Sequence, residues 1–137
     1  MAYNSCQQFC EDLRIRLGNK GYAEMNPPAP LNVAMLKQTF GGNIPKVVAV
    51  IDASYISDPP TKTFSRVQGW IKQLLGRGGA GVVLFVYNQP LASAVNEISQ
   101  LGKGLLGYGQ VVAGTYDLLN NQYWLSDHMG WPEEIFR

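Results

Sequence analysis

Three aspartates stand where this sequence could place chemistry. Asp52 ends the apolar run KVVAVID, Asp58 lies in the loop that follows it, and Asp117 ends a later predicted strand. Open α/β sheets bind ligands in a crevice at the carboxyl ends of their strands, and carboxylates are ligands that magnesium prefers. The sequence therefore indicates a ligand or metal crevice at these three residues. Capping or turn formation is the other interpretation of a strand-end aspartate, and the residues alone favour it.

Residues 47–56, VVAVIDASYI, resemble the first strand of PIN-type and NYN-type nuclease domains, in which that aspartate is a metal ligand. The resemblance implies Mg²⁺- or Mn²⁺-dependent hydrolysis of phosphodiester bonds, centred on Asp52. Those families cluster several acids and open a later helix with an Asp-Asp pair, whereas the helix after Pro90 offers Glu97 here. A metal-dependent nuclease is therefore the alternative to a non-catalytic domain, and the residues identify no other cofactor.

The remaining motifs do not assemble an enzyme site. GRGGAG and GKGLLG have dinucleotide-fingerprint spacing, but each follows a predicted helix and precedes a strand, the reverse of what a pyrophosphate site requires. Cys6 and Cys10 fall on the apolar face of a predicted helix, and His128 has no cysteine partner. A zinc site needs several cysteine or histidine ligands, and a catalytic triad needs three groups that converge from separate elements. The sequence therefore predicts neither.

Composition and charge narrow the class of protein. A chain of 137 residues fits one domain. Eleven basic and ten acidic residues give a net charge of +1, so the chain has no electrostatic footprint for nucleic acid. No segment has the pattern of a membrane span, and the first residues lack that of a signal peptide. We therefore expect a cytoplasmic domain that does not bind nucleic acid.

Two uninterrupted apolar runs, residues 46–53 and 81–87, predict central parallel strands covered on both faces. The amphipathic stretch between them predicts a helix capped by Thr63 and ended by Gly76. Ser5 is expected to cap an earlier helix, and Pro90 to begin a third one that reaches residue 105. Residues 31–40 are ambiguous between helix and strand, with a slight preference for strand.

The alternation of strands and helices predicts a single α/β domain over residues 1–137, with a mixed sheet of five or six strands and flanking helices. Residues 110–116 and 122–126 are expected to form a hairpin. The tail carries Trp131, Ile135 and Phe136 in an otherwise loop-like segment. We expect this tail to dock on the domain or to form an interaction surface.

The order of these elements, with KVVAVID, GVVLFVY and YDLLNNQYWL, is similar to the cytosolic N-terminal domain of some bacterial rhomboid-type intramembrane proteases. In that family the domain resembles a restriction-endonuclease-like fold without an intact nuclease site. The resemblance implies a non-catalytic domain appended to a membrane protein. No catalytic residue carries over, because the serine motif and membrane helices of the protease have no counterpart here.

Three functions therefore remain open from the sequence. The favoured one is a non-catalytic interaction or regulatory domain in a larger assembly, with a protein partner or a second copy of the chain. The second is the nuclease centred on Asp52. The third is a small-molecule-sensing domain, because crevices at strand ends bind ligands in many α/β folds without chemistry.

Overall fold

A computed structural model describes residues 3–38, 44–88, 92–98, 100–104, 107–108, 110–125 and 135. The helices of this part of the chain are separated by one strand or by several. In order they are α1 (Cys6–Asn19), β1 (Ala23–Glu24), β2 (Val33–Lys37), β3 (Lys46–Asp52), α2 (Pro60–Leu75), β4 (Ala80–Tyr87), α3 (Ala92–Ile98), β5 (Lys103–Gly104), β6 (Gly107–Tyr108), β7 (Val111–Asp117) and β8 (Gln122–Leu125). A short 3₁₀ turn, Ala53–Tyr55, follows β3.

Six of the strands form one mixed sheet in the order β1-β2-β3-β4-β7-β8, and β5 pairs with β6 separately. β3, β4 and β7 are mutually parallel, whereas β1, β2 and β8 run antiparallel to their neighbours. The predicted single α/β domain with a mixed sheet is thereby confirmed. The carboxyl ends of the three parallel strands meet at one edge of the sheet, where Asp52 lies level with Val86, and Asp117 with Tyr87.

The two apolar runs form the centre of the sheet, as their composition predicts. β3 and β4 occupy its third and fourth positions and are parallel. Their side chains alternate between two buried layers. Val48 and Val50 pack with α1, whereas Val47, Ala49 and Ile51 pack with α2. Because both faces of β3 are covered, every one of these positions is apolar.

The helix boundaries differ in part from those that the sequence predicts. α2 begins at Pro60 instead of at Thr63, which is buried in the first turn. Proline suits that position, because a backbone N–H in the first turn has no partner within the helix and proline lacks this group. α3 ends at Ile98 instead of continuing to residue 105, and Gly102 has a positive φ of 84°. Residues 90 and 91, the predicted start of this helix, lie outside the described part.

The ambiguous segment at residues 31–40 contains a strand, because Val33–Lys37 forms β2 and pairs with β3. The hairpin of β7 and β8 turns through Asn121, whose φ of 53° is tolerated by asparagine. No helix within the described ranges has the length and apolar character that crossing a bilayer requires.

Ile135 is the residue of the predicted tail that the structure describes. Its side chain is fully buried in the layer formed with α1, and its carbonyl oxygen accepts a hydrogen bond from the Arg16 guanidinium. The Ile135 side chain thus packs on the domain, and the interaction surface predicted for Trp131, Ile135 and Phe136 stays a prediction. Trp131 and Phe136, predicted with it, lie outside the described residues, as does His128.

Candidate functional site

A crevice lies at the edge where the parallel strands end. Its cavity has a volume of about 530 Å³, which is within the usual range for small-molecule sites. The residues lining it come from the start of α1, the end of β3 and the segments after β4 and β7. They are Tyr3, Asn4, Ser5, Cys6, Gln7, Asp52, Tyr55, Asn88, Leu118 and Leu119.

The start of α1 forms one wall of the crevice and is held by a reciprocal cap. Ser5 has an extended backbone, and its hydroxyl accepts a hydrogen bond from the Gln8 N–H at 3.1 Å. The Gln8 side chain in turn accepts one from the Asn4 N–H at 2.7 Å. Such a cap satisfies N–H groups that lack partners within the helix. The residue at which α1 starts therefore follows from the local sequence.

Asp52 has the capping role expected of a strand-end aspartate. Its Oδ1 accepts a hydrogen bond from the Ser54 N–H at 3.2 Å, which caps the 3₁₀ turn. Its own N–H donates to Asn32 Oδ1 at 2.8 Å. These bonds fix the turn that carries Tyr55 to the crevice.

The Asp52 carboxylate also acts on the thiol of Cys6, at the first residue of α1. The hydrogen-bonded Cys10, whose Sγ lies 3.9 Å from that of Cys6, raises the pKa of Cys6 together with burial and the nearby Asp52 carboxylate. Cys6 is therefore a protonated thiol at neutral pH. A buried, protonated thiol serves as a hydrogen-bond donor and not as a nucleophile.

Asp58 and Asp117 have separate partners. Asp58 lies beside two cations of α2, with its oxygens 3.9 Å from Lys62 Nζ and 3.4 Å from an Arg66 guanidinium nitrogen. It lines a second, smaller cavity of about 150 Å³. Asp117 accepts hydrogen bonds from the Leu119 and Asn120 N–H groups and from the Asn120 side-chain amide.

The predicted cluster of three aspartates is therefore divided among three tasks. Asp52 caps a turn, Asp58 pairs with two cations, and Asp117 shapes the hairpin loop. Within the described residues, no group of three or more His, Cys, Asp or Glu side chains could hold a metal ion.

The crevice has one formal charge and an apolar rim. Among its described lining residues, Asp52 carries the only side-chain charge at neutral pH. At the rim, Tyr55 is 86% exposed and Leu119 is 67% exposed. These two side chains provide exposed apolar surface beside the cavity.

Sequence reasoning identified Asp52 but missed the wall facing it. The start of α1 was predicted from Ser5, yet nothing local indicated that Cys6 lies against the end of β3. The Ser5-x-x-Gln8 spacing is a sequence motif that indicates the start of the helix. The contact between α1 and β3 depends on the packing of the helix across the sheet, which no short motif encodes.

Comparison of the chain with models of protein families, with curated proteins and with solved structures gives no match in any of the three. The chemistry of the crevice is therefore the basis for a functional assignment.

Proposed function

We propose that this chain is a non-catalytic interaction or regulatory domain, and that the crevice between α1 and the ends of the parallel strands is its binding surface. The observation that carries the proposal is a cavity of about 530 Å³ with exposed Tyr55 and Leu119 at its rim. A concave, partly apolar site with a few polar groups is what binding a ligand or a partner side chain requires.

The groups in the crevice support binding more than chemistry. Asp52 caps a turn, and Cys6 is a protonated thiol. A nucleophile needs a base within hydrogen-bonding reach that lowers its effective pKa, whereas the neighbours of Cys6 raise its pKa. The side chains thus hold one another in place.

The proposal extends to a larger assembly. The resemblance to the N-terminal domain of rhomboid-type proteases supports attachment to a membrane protein, and the exposed rim supports a protein partner or self-association. The surrounding reading frame tests the first point. A continuation with several apolar spans would support attachment, and a frame that encodes no such spans would contradict it.

The experiment that tests binding against catalysis uses manganese and nucleic acid. Calorimetry with Mn²⁺, followed by nuclease assays of the wild type, Asp52→Ala and the control Asp58→Ala, covers the competing function. We expect no cleavage of RNA or DNA that depends on Asp52. Cleavage that is lost in Asp52→Ala and kept in Asp58→Ala would overturn the proposal in favour of a metal-dependent nuclease.

A thermal-shift screen against nucleotides, metabolites and short peptides tests binding itself. A ligand at one hundred times its Kd stabilises the folded state by about 2.7 kcal/mol. Stabilisation by a metabolite would indicate a regulatory domain that senses a small molecule. Stabilisation by a peptide would indicate a domain that binds a protein partner. The absence of any stabilising compound or peptide would count against the crevice as a binding surface.

A further inference from the structure

Within the described part of the chain, Asp52 has no counter-ion, unlike three other acidic residues. Asp12 lies 2.8 Å from Arg16, Glu24 lies 2.9 Å from Arg14, and Asp58 has its two cations on α2. In the described ranges, no Lys, Arg or His lies within ion-pair distance of the Asp52 carboxylate. Among the described residues, therefore, no basic side chain balances the charge of this carboxylate in the crevice.

The Asp52 carboxylate retains hydrogen-bonding capacity. An ionised carboxylate has about four acceptor positions. The Ser54 N–H takes one of these, and the Cys6 thiol is near enough for the carboxylate to contribute to its raised pKa. A ligand that donates hydrogen bonds can use the positions that remain.

The sign of the charge in the crevice follows from two opposing contributions. The N-terminus of α1 carries about half a positive charge, and Ser5 already caps one of its free N–H groups. Asp52 contributes one full negative charge against it. The described lining is therefore net negative, which favours a cation over an anion.

We propose that the ligand of this crevice carries an ammonium or guanidinium group on an apolar stem, with Asp52 as its counter-ion. This inference rests on the proposed function and names the chemistry of the ligand. Charge-assisted hydrogen bonds to a carboxylate are the strong ones. In this proposal the stem packs against Leu118 and Leu119, which line the crevice together with Tyr55. A free amine and the side chain of Lys or Arg share this chemistry.

The test is an amide NMR titration of the full chain with three compounds of similar shape, n-butylammonium, n-butanol and butyrate. We expect butylammonium to shift the signals of residues 4–7, Tyr55 and Leu119, with the tightest Kd of the three. The substitution Asp52→Asn keeps the shape and removes the charge, so its Kd for butylammonium should rise by about tenfold. The control Asp58→Asn, made in a carboxylate that already has counter-ions, should leave that Kd unchanged.

A second titration distinguishes the two sources of the cation. A short peptide with one Lys is compared with the same peptide carrying norleucine at that position. If the Lys peptide binds about tenfold more tightly than butylammonium and the norleucine peptide does not, a partner protein supplies the cation. Equal Kd values for the Lys peptide and butylammonium would assign a free amine.

Two results would overturn the inference, and they differ in what else they affect. The first is that butyrate or butanol binds as tightly as butylammonium, or that a folded Asp52→Asn chain, as judged by its amide spectrum, keeps the same Kd. In that case the proposed ligand chemistry is wrong, but the crevice remains a binding surface. If none of the three compounds and neither peptide shifts the signals of the crevice, the proposed function fails as well.

Discussion

Asp52, the last residue of β3, places its carboxylate against the thiol of Cys6, the first residue of α1. The first turn of α1 contains no acidic residue of its own. Negative charge at a helix N-terminus is stabilising, so the strand supplies what the helix sequence lacks. One side chain thus links the sheet, the helix and the crevice between them.

This link predicts the effect of removing the charge of Asp52. Asparagine can still accept the capping hydrogen bond from Ser54, so Asp52→Asn tests the charge alone. We expect the free energy of unfolding to fall by about 0.3–1 kcal/mol in a urea titration at low salt. The control Asp58→Asn loses ion pairs to Lys62 and Arg66 that are largely exposed, which contribute little. An unchanged or higher stability of Asp52→Asn would contradict the link.

The parts of this fold that could be predicted from sequence are those whose signal is local. β3 and β4 are continuous β-branched runs, and their parallel pairing follows from the helix between them. The cap at Ser5 and the turn at Asn121 are likewise encoded within a few residues. Each of these features needs no knowledge of distant neighbours.

The rest depends on packing between distant segments. Thr63 is of a residue type that caps helices. However, Pro60, three residues earlier, fits the first turn, so α2 starts there. Asp52, Asp58 and Asp117 follow strands that end together, but each turns to a different local partner. Strand ends predict a shared edge of the sheet, whereas side-chain direction decides which groups meet.

Gly114 is predicted to be intolerant of a side chain. A Cβ there would lie 2.6 Å from Leu125 Cδ2 and 2.8 Å from the Trp124 carbonyl oxygen, where β7 pairs with β8. Gly114→Ala should therefore lower the free energy of unfolding by about 1–3 kcal/mol. Gly69 is the matched control, because it lies in α2 with nothing within 4 Å of its Cβ position. There alanine should raise stability by about 1 kcal/mol. A tolerated Gly114→Ala would show that β7 and β8 pack less closely.

Ile135 is predicted to stabilise the fold from the end of the chain. Its side chain is fully buried with the residues of α1. Ile135→Ala should lower the free energy of unfolding by about 2–5 kcal/mol, because it removes buried methyl groups and leaves a cavity. Truncation after Gly130 should lower the melting temperature in the same direction. The opposite result, an unchanged melting temperature and oligomeric state after truncation, would show that the tail is dispensable.

Two tyrosines are predicted to make the fold sensitive to high pH. Burial and a hydrogen bond to Asp12 raise the pKa of Tyr3 to about 12, and burial with the nearby Glu97 raises that of Tyr87 to about 12. The unfolded chain releases these protons near pH 10, so the folded state binds more protons between the two values. The free energy of unfolding should be unaffected by these groups below pH 10 and should fall as the pH rises through 12. In denaturant titrations, Tyr3→Phe and Tyr87→Phe should each show a shallower decline of stability with pH than the wild type. A decline as steep as that of the wild type in both variants would contradict the assignment.

The most direct test of the crevice as the binding surface is an amide NMR map of the compounds or peptides that stabilise the full chain in the thermal-shift screen. Binding there should shift the signals of residues 4–7, Tyr55, Asn88 and Leu118–Leu119, while those of the exposed face of α2 around Lys72 stay in place. Shifts confined to α2, with the signals of the crevice unmoved, would contradict the account.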